Sequence, residues 1–309
     1  MTNPFAIPGQ RDPRKPLNPV EDSQHDELFI DVDSAKEAFE EFQSILDTDH
    51  AFDRGGAMAI AVADKQFGKT ALLNRCAYWM KREIGARAKA ARSRTTAHII
   101  DLRFLEGELP AALTAPERVN TVCHHLMKKL HGGRHLAEAW QDEGQREARL
   151  VLPYLAELLV RDTVLIVMLP RTDDVIDELL SYANLVPKRV VMLAETSYVG
   201  RLEEYSSRLK RTATVPVLLR LGTLRPEDGE KFYNKRRERH ASDRSIAEAT
   251  PEDLRWLVTV KPTSVGELQQ LLYGLYDDVR RRRSPAQQLT RDVIAEFYIS
   301  RTRFGGDHD

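Results

Sequence analysis

The chain has 309 residues, 42% hydrophobic and 30% charged, which is enough for a well-buried core and for more than one compact domain. Its 46 basic and 47 acidic residues nearly cancel, so no global field exists to recruit nucleic acid or an acidic membrane surface, and any such binding has to be local. Two widely separated cysteines, Cys76 and Cys123, exclude a disulfide framework and read as small core residues in a reducing compartment.

No apolar run approaches the roughly 20 residues of a membrane span, and residues 1–19 lack the apolar stretch of a signal peptide, so a cytoplasmic protein with no membrane partner is expected. The opening stretch MTNPFAIPGQRDPRKPLNPV carries five prolines and little periodicity, and residues 1–27 are expected to be an extended or disordered arm. The folded part then begins near Leu28. LFIDV (28–32) reads as a short strand, and SAKEAFEEFQSIL (34–46) as a helix that Ser34 can cap.

AMAIAVA (57–63) is a continuous apolar run, the pattern of a parallel strand covered on both faces. It leads into DKQFGKT (64–70). The phosphate-cradling pattern G-x-x-x-x-G-K-[ST] fits residues 63–70 except that Ala63 stands at the first glycine. A turn at residue 63 that needed φ above zero would strain Ala63 by about 1 kcal/mol or more. The following helix places Leu72, Leu73, Cys76, Trp79 and Met80 on one stripe and is expected to end by Gly85. Its start at Lys69 aims unsatisfied N–H groups and the positive end of the helix dipole at the loop, while Gly68 lets the backbone come close to a phosphate.

Further apolar runs, AHIIDLRF (97–104), TVLIVML (163–169), RVVMLAE (189–195) and VPVLLRL (215–221), alternate with helical segments and predict a parallel, helix-covered sheet. Among those segments, PERVNTVCHHLMKKLHGG (116–133) aligns Val119, Val122, Cys123, Leu126 and Leu130 on one face. After residue 222 every periodic segment is helical, and Thr250-Pro251-Glu252-Asp253 is a capped helix start. The predicted layout is an α/β domain over 28–222 and a helical domain over 223–309.

This layout, with Gly68-Lys69-Thr70 after the first core strand, resembles AAA+ and STAND-type P-loop ATPases over roughly residues 28–300. The resemblance implies an α/β fold in which a parallel P-loop NTPase sheet covered by helices is followed by a smaller all-helical lid. It also implies ATP and Mg2+ as cofactors. Lys69 would reach the β and γ phosphates, Thr70 would hold magnesium, and the nucleotide-binding set would be Ala63, Asp64, Gln66, Gly68, Lys69, Thr70 and Ala71. The family's third strand usually ends in an acidic pair, but here Leu169-Pro170 occupy that place and the acids come late, at Asp173 and Asp174. Asp173 either turns back to the metal or caps the helix VIDELLSYANL. After the fourth strand, Glu195 is a second candidate catalytic acid and Thr196 a candidate polar sensor of the γ-phosphate. Glu267 and Gln269 stand where a lid arginine would fall, and Asp101 reads as a pairing partner for Arg103.

Two basic runs, with Lys235, Arg236 and Arg237 in one and Arg280, Arg281 and Arg282 in the other, are either solvated helix faces or a local nucleic-acid surface. His124, His125, His131 and His135 lack metal-ligand spacing, since neighbours on a helix point about 100° apart. Two functions follow as alternatives. One is an ATP-binding, slowly hydrolysing switch or assembly factor with a protein partner or self-association; the other is a non-hydrolysing P-loop scaffold that works by binding protein or nucleic-acid partners.

Overall fold

The computed structural model describes residues 3–46, 55–110, 112–137, 148–172, 176–197, 200, 204, 206–240, 246–260, 264–281 and 288–304. The chain divides into two compact units, Glu37–Lys65 with Lys69–Leu221, and Met1–Lys36 with Gln66–Gly68 and Gly222–Asp309.

The first unit is built on a five-stranded, all-parallel sheet. In chain order its elements are helix α1 (Ala35–Gln43), β1 (Ala57–Val62), α2 (Lys69–Ala90), β2 (Thr96–Asp101), α3 (Ala115–Gly132), β3 (Thr163–Met168), α4 (Ile176–Leu185), β4 (Val190–Thr196) and β5 (Val217–Arg220). The strand order is β2-β3-β4-β1-β5, so β4 separates β1 from β3. Register is fixed by pairs such as Val62 with Thr196 and Met168 with Leu193. Because successive strand residues point to opposite faces, Met58, Ile60, Leu165, Val167, Val190 and Met192 pack on one side with Leu126 and Leu179 of α3 and α4. Ala59, Ala61, Val164, Ile166, Val191 and Leu193 pack on the other with Leu72, Leu73, Cys76 and Met80 of α2. The two thiols are buried, and burial pushes both upward, Cys123 to about 12.

All five strands predicted from residue 57 onward form; β1, β2, β3 and β5 are shorter than their predicted runs, and β4 keeps its length but is shifted by one residue. β5 starts directly after Pro216, which has no N–H to give a ladder. The predicted stripe of α3 is buried throughout, and a capping box between Thr114 and Glu117 starts the helix. The first helix of the loop motif differs from expectation. α2 continues through Gly85 to Ala90, because Ile84 and Ala88 extend its buried stripe and Glu83 pairs with Arg87 at 2.8 Å on the solvent side. A Cβ at Gly85 would meet open space, so nothing there forces a stop.

LFIDV is not a strand. Its first residue closes a short 3-10 turn, and Ile30 and Val32 place their side chains in the core of the second unit. Asp33 and Ser34 then take left-handed φ values of 51° and 71°, which turn the chain before a ladder can extend. For the same reason Ser34 lacks the extended backbone of a helix N-cap.

The second unit consists of helices α5 (Pro226–Glu238), α6 (Pro251–Val260), α7 (Val265–Arg281) and α8 (Arg291–Phe304), together with the N-terminal segment. That segment, expected to be an extended or disordered arm, carries Phe5, which is 0% exposed. Its ring lies 6.3 Å from Phe232, 6.0 Å from Tyr233 and 5.1 Å from Tyr276. Gln269 donates to the Phe5 carbonyl at 2.6 Å, and Asn3 donates to the Tyr273 carbonyl at 2.9 Å. The proline spacing hid this anchor because one aromatic residue, rather than a periodic stripe, carries it. Thr250 caps α6 through its hydroxyl, which accepts from the Asp253 N–H at 3.1 Å. Among the described residues no helix is long and apolar enough to cross a membrane.

Of the basic runs, Lys235, Arg280 and Arg281 are exposed, Arg237 is half-buried and Arg236 is buried. Arg236 is 5% exposed and lies over the Phe232 ring, and desolvation lowers its guanidinium to about 10. Lys235 pairs with Glu238 and Arg237 with Glu248, while Arg280 and Arg281 both pair with Asp277. Arg282 lies outside the described residues.

Candidate functional site

Residues 63–70 join the C-terminal end of β1 to the N-terminus of α2, a 22-residue helix whose first turn faces the loop. Ala63 is buried, and its N–H donates to the Thr196 carbonyl at 3.4 Å, which extends the β1–β4 ladder by one residue. The residues with positive φ in the loop are Gln66 at 67° and Gly68 at 79°. The turn therefore needs left-handed backbone at its middle and at its second glycine position but not at Ala63, whose methyl group imposes no strain. Asp64 and Gln66 are exposed, and Ala71 is half-buried in the first turn of α2.

Lys69 is 5% exposed, and its ammonium folds back over the loop. Nζ donates to the carbonyls of Ala63 at 2.8 Å and Asp64 at 2.6 Å and to Ser197 Oγ at 3.1 Å. Next to it, Thr70 Oγ1 donates to Glu195 Oε2 at 2.8 Å. Glu195 is only 7% exposed, so this carboxylate is held in one place rather than waving in solvent. A side-chain hydroxyl and a carboxylate in contact form an oxygen donor set of the type that a hard divalent cation takes.

The strand period explains which β4 residues reach the loop. Glu195 and Ser197 are two apart and meet Thr70 and Lys69 respectively, whereas Thr196 between them is buried and pairs across the ladder with Val62. Ser197 thus brings a hydroxyl to the loop lysine.

The chain beyond β3 stays beside β4. Leu169 N–H donates to the Leu193 carbonyl at 2.8 Å, and the Thr172 N–H and hydroxyl both donate to the Glu195 carbonyl at 3.3 Å. Leu169 and Pro170 are buried, so the acid position of the resembled family is filled here by apolar core. Asp173 and Asp174 lie outside the described residues. Arg171 lies in this segment, and its Nη2 donates to Ser197 Oγ at 2.8 Å. The acidic motif expected after β3 does not include this arginine, which follows directly on the strand end in Pro170-Arg171-Thr172.

Of the remaining candidates, Asp101 pairs with Arg103 as read from sequence, with Arg103 Nε donating to Oδ1 at 2.9 Å. Burial acts to raise the Asp101 carboxyl, but the hydrogen bonds and charge of Arg103 outweigh it and hold the group below its ordinary value. Glu267 closes a capping box with Ser264 at the start of α7, and Gln269 binds Phe5, so both have structural tasks within the helical unit. Among the described residues no group of three or more His, Cys, Asp and Glu side chains is placed to hold a metal ion.

Neither a protein-family model nor a curated protein matches the chain. Solved structures do. The Aeropyrum pernix ORC2 protein, in ADPNP and ADP complexes, is similar with a TM-score of 0.51 and 14% identity over 86% of this chain and 67% of that one. The A. pernix ORC1 protein in complex with DNA gives a TM-score of 0.49 at 14% identity over 84% of this chain and 64% of that one. The Thermotoga maritima RuvB Holliday junction branch migration motor gives 0.44 at 12% identity over 94% and 73%. At 14% identity the likeness to ORC2 concerns the fold alone. The chain has the α/β fold of AAA+-type P-loop NTPases.

Proposed function

We propose that the chain binds a nucleoside triphosphate, with ATP the first candidate, and magnesium at residues 63–71, and acts as a nucleotide-dependent switch or assembly factor. The observation that carries this reading is the hydrogen bond from Thr70 to Glu195 beside the buried Lys69. In P-loop NTPases the loop hydroxyl and a strand-end carboxylate share the metal, and the lysine and loop N–H groups hold the phosphates. Here Thr70 and Glu195 supply that pair of oxygens. The Lys69 ammonium, now satisfied by two loop carbonyls, is the charge that a phosphate takes over. Bound magnesium would neutralise charge between the terminal phosphates. The ORC2 structure with ADPNP and ADP lends the reading support at the level of the fold.

Glu195 is also the carboxylate available to orient an attacking water, but it is already committed to Thr70. Turnover on the order of one per minute or less is expected, far below the roughly 1 to 100 per second of kinases. Calorimetric titration with Mg-ATP, Mg-ADP and Mg-GTP tests the proposal: saturable binding of at least one nucleotide is the expected outcome, and heats indistinguishable from dilution for all three would overturn it. The second reading, a scaffold that works through protein partners without turnover, is favoured by the apolar Leu169-Pro170 at the end of β3. Nucleic-acid binding through the basic runs has less support, since Arg236 is buried and Lys235, Arg237, Arg280 and Arg281 are ion-paired.

A further inference from the structure

Three adjacent strands, β3, β4 and β1, end at the same edge of the sheet, the side on which ligands bind in parallel α/β folds. From these ends come Arg171, Ser197 and Lys69. Arg171 Nη2 and Lys69 Nζ both donate to the one Ser197 oxygen, at 2.8 and 3.1 Å. Two cations are thus within hydrogen-bonding distance of a single neutral acceptor. Arg171 is held there by the backbone on both sides of it, through the Leu169 and Thr172 bonds to β4.

We propose that Arg171 is a terminal-phosphate ligand supplied by the chain itself, a cation one residue beyond the place where the resembled family carries its acids. The proposal rests on the nucleotide-binding reading above. A phosphate oxygen carries charge and several lone pairs, and so satisfies a guanidinium and an ammonium together better than a hydroxyl does. The planar fork of an arginine suits two phosphate oxygens at once, which a lysine's point charge does not. The contact would be made to the outermost phosphate, because the loop N–H groups and the start of α2 enclose the inner ones. Arg171 would therefore separate triphosphate from diphosphate, and tight retention of the triphosphate, rather than its hydrolysis, would be the property this strand end confers.

The test compares the affinity of full-length protein for Mg-AMP-PNP and for Mg-ADP, measured by calorimetry, in the wild type and in R171A, R171K and S197A, each checked for an unchanged melting transition. R171A is expected to weaken AMP-PNP about 10- to 100-fold, the loss of one charged hydrogen-bonding partner, while Mg-ADP stays within about 3-fold. R171K is expected to fall between R171A and wild type, and S197A to keep most of the preference for AMP-PNP. Equal losses for both nucleotides, or none in R171A or R171K, would overturn the proposal. So would an S197A variant that reproduces the R171A pattern, since Arg171 would then act only by positioning the serine. A wild-type protein that binds neither nucleotide would instead remove the nucleotide reading on which the proposal stands.

Discussion

The ends of β3 and β4 lie side by side in the sheet yet hold opposite chemistry. β3 runs out through Leu169 and Pro170, both buried, to Arg171, whereas β4 runs out through Glu195 and Ser197, both bonded to the P-loop. A search by motif looks for the acid after β3. In three dimensions Glu195 of the neighbouring strand β4, which lies between β1 and β3, reaches Thr70. Adjacency in the sheet, not order along the chain, decides which carboxylate reaches Thr70.

The most forceful way to break this contrast is to remove the group on which both strand ends depend. Lys69→Ala is expected to lower nucleotide affinity by at least about 100-fold, since it deletes the buried ammonium from the phosphate site; an unchanged calorimetric titration would count against the whole site. The contrast is sharpened by pairing Glu195→Gln with Asp173→Ala. Loss of the β4 carboxylate should raise the magnesium concentration needed for half-maximal nucleotide binding about 10- to 100-fold. Asp173→Ala should leave that concentration unchanged and cost about 1 kcal/mol of stability if the residue caps α4. The reverse result would return the acid to β3. The smallest effects concern the loop itself. Gly68→Ala is expected to cost about 1 to 2 kcal/mol in denaturant unfolding, because φ there is 79°. Ala63→Gly should cost about 0.5 to 1 kcal/mol and bring no gain in affinity, since Ala63 is unstrained.

The sheet was legible because its strands are continuous apolar runs bounded by polar or proline residues, and buried parallel strands leave that trace. Lys69 and Thr70 were legible for a different reason, the fixed spacing of a loop that must wrap a phosphate. Glu195 was visible as a residue but not as Thr70's partner, for the strand order that joins them is a long-range property. Arg171 escaped because its role depends on a hydroxyl 26 positions away. LFIDV misled for the opposite reason: five residues of which four are apolar fit a strand by composition, and only the left-handed turn at Asp33 and Ser34 settles that Ile30 and Val32 serve the helical core.

The place of Phe5 bears on how the chain folds as it is synthesised. The ring leaves the ribosome well before its partners Phe232, Tyr233 and Tyr276, which emerge more than 220 positions later. Every residue of the sheet unit, Glu37–Leu221, is made in between. The α/β unit can therefore complete its core while translation continues, whereas the helical unit can close only after it. Phe5 must stay uncommitted, with an aromatic side chain open to solvent, until α5 and α7 arrive to receive it.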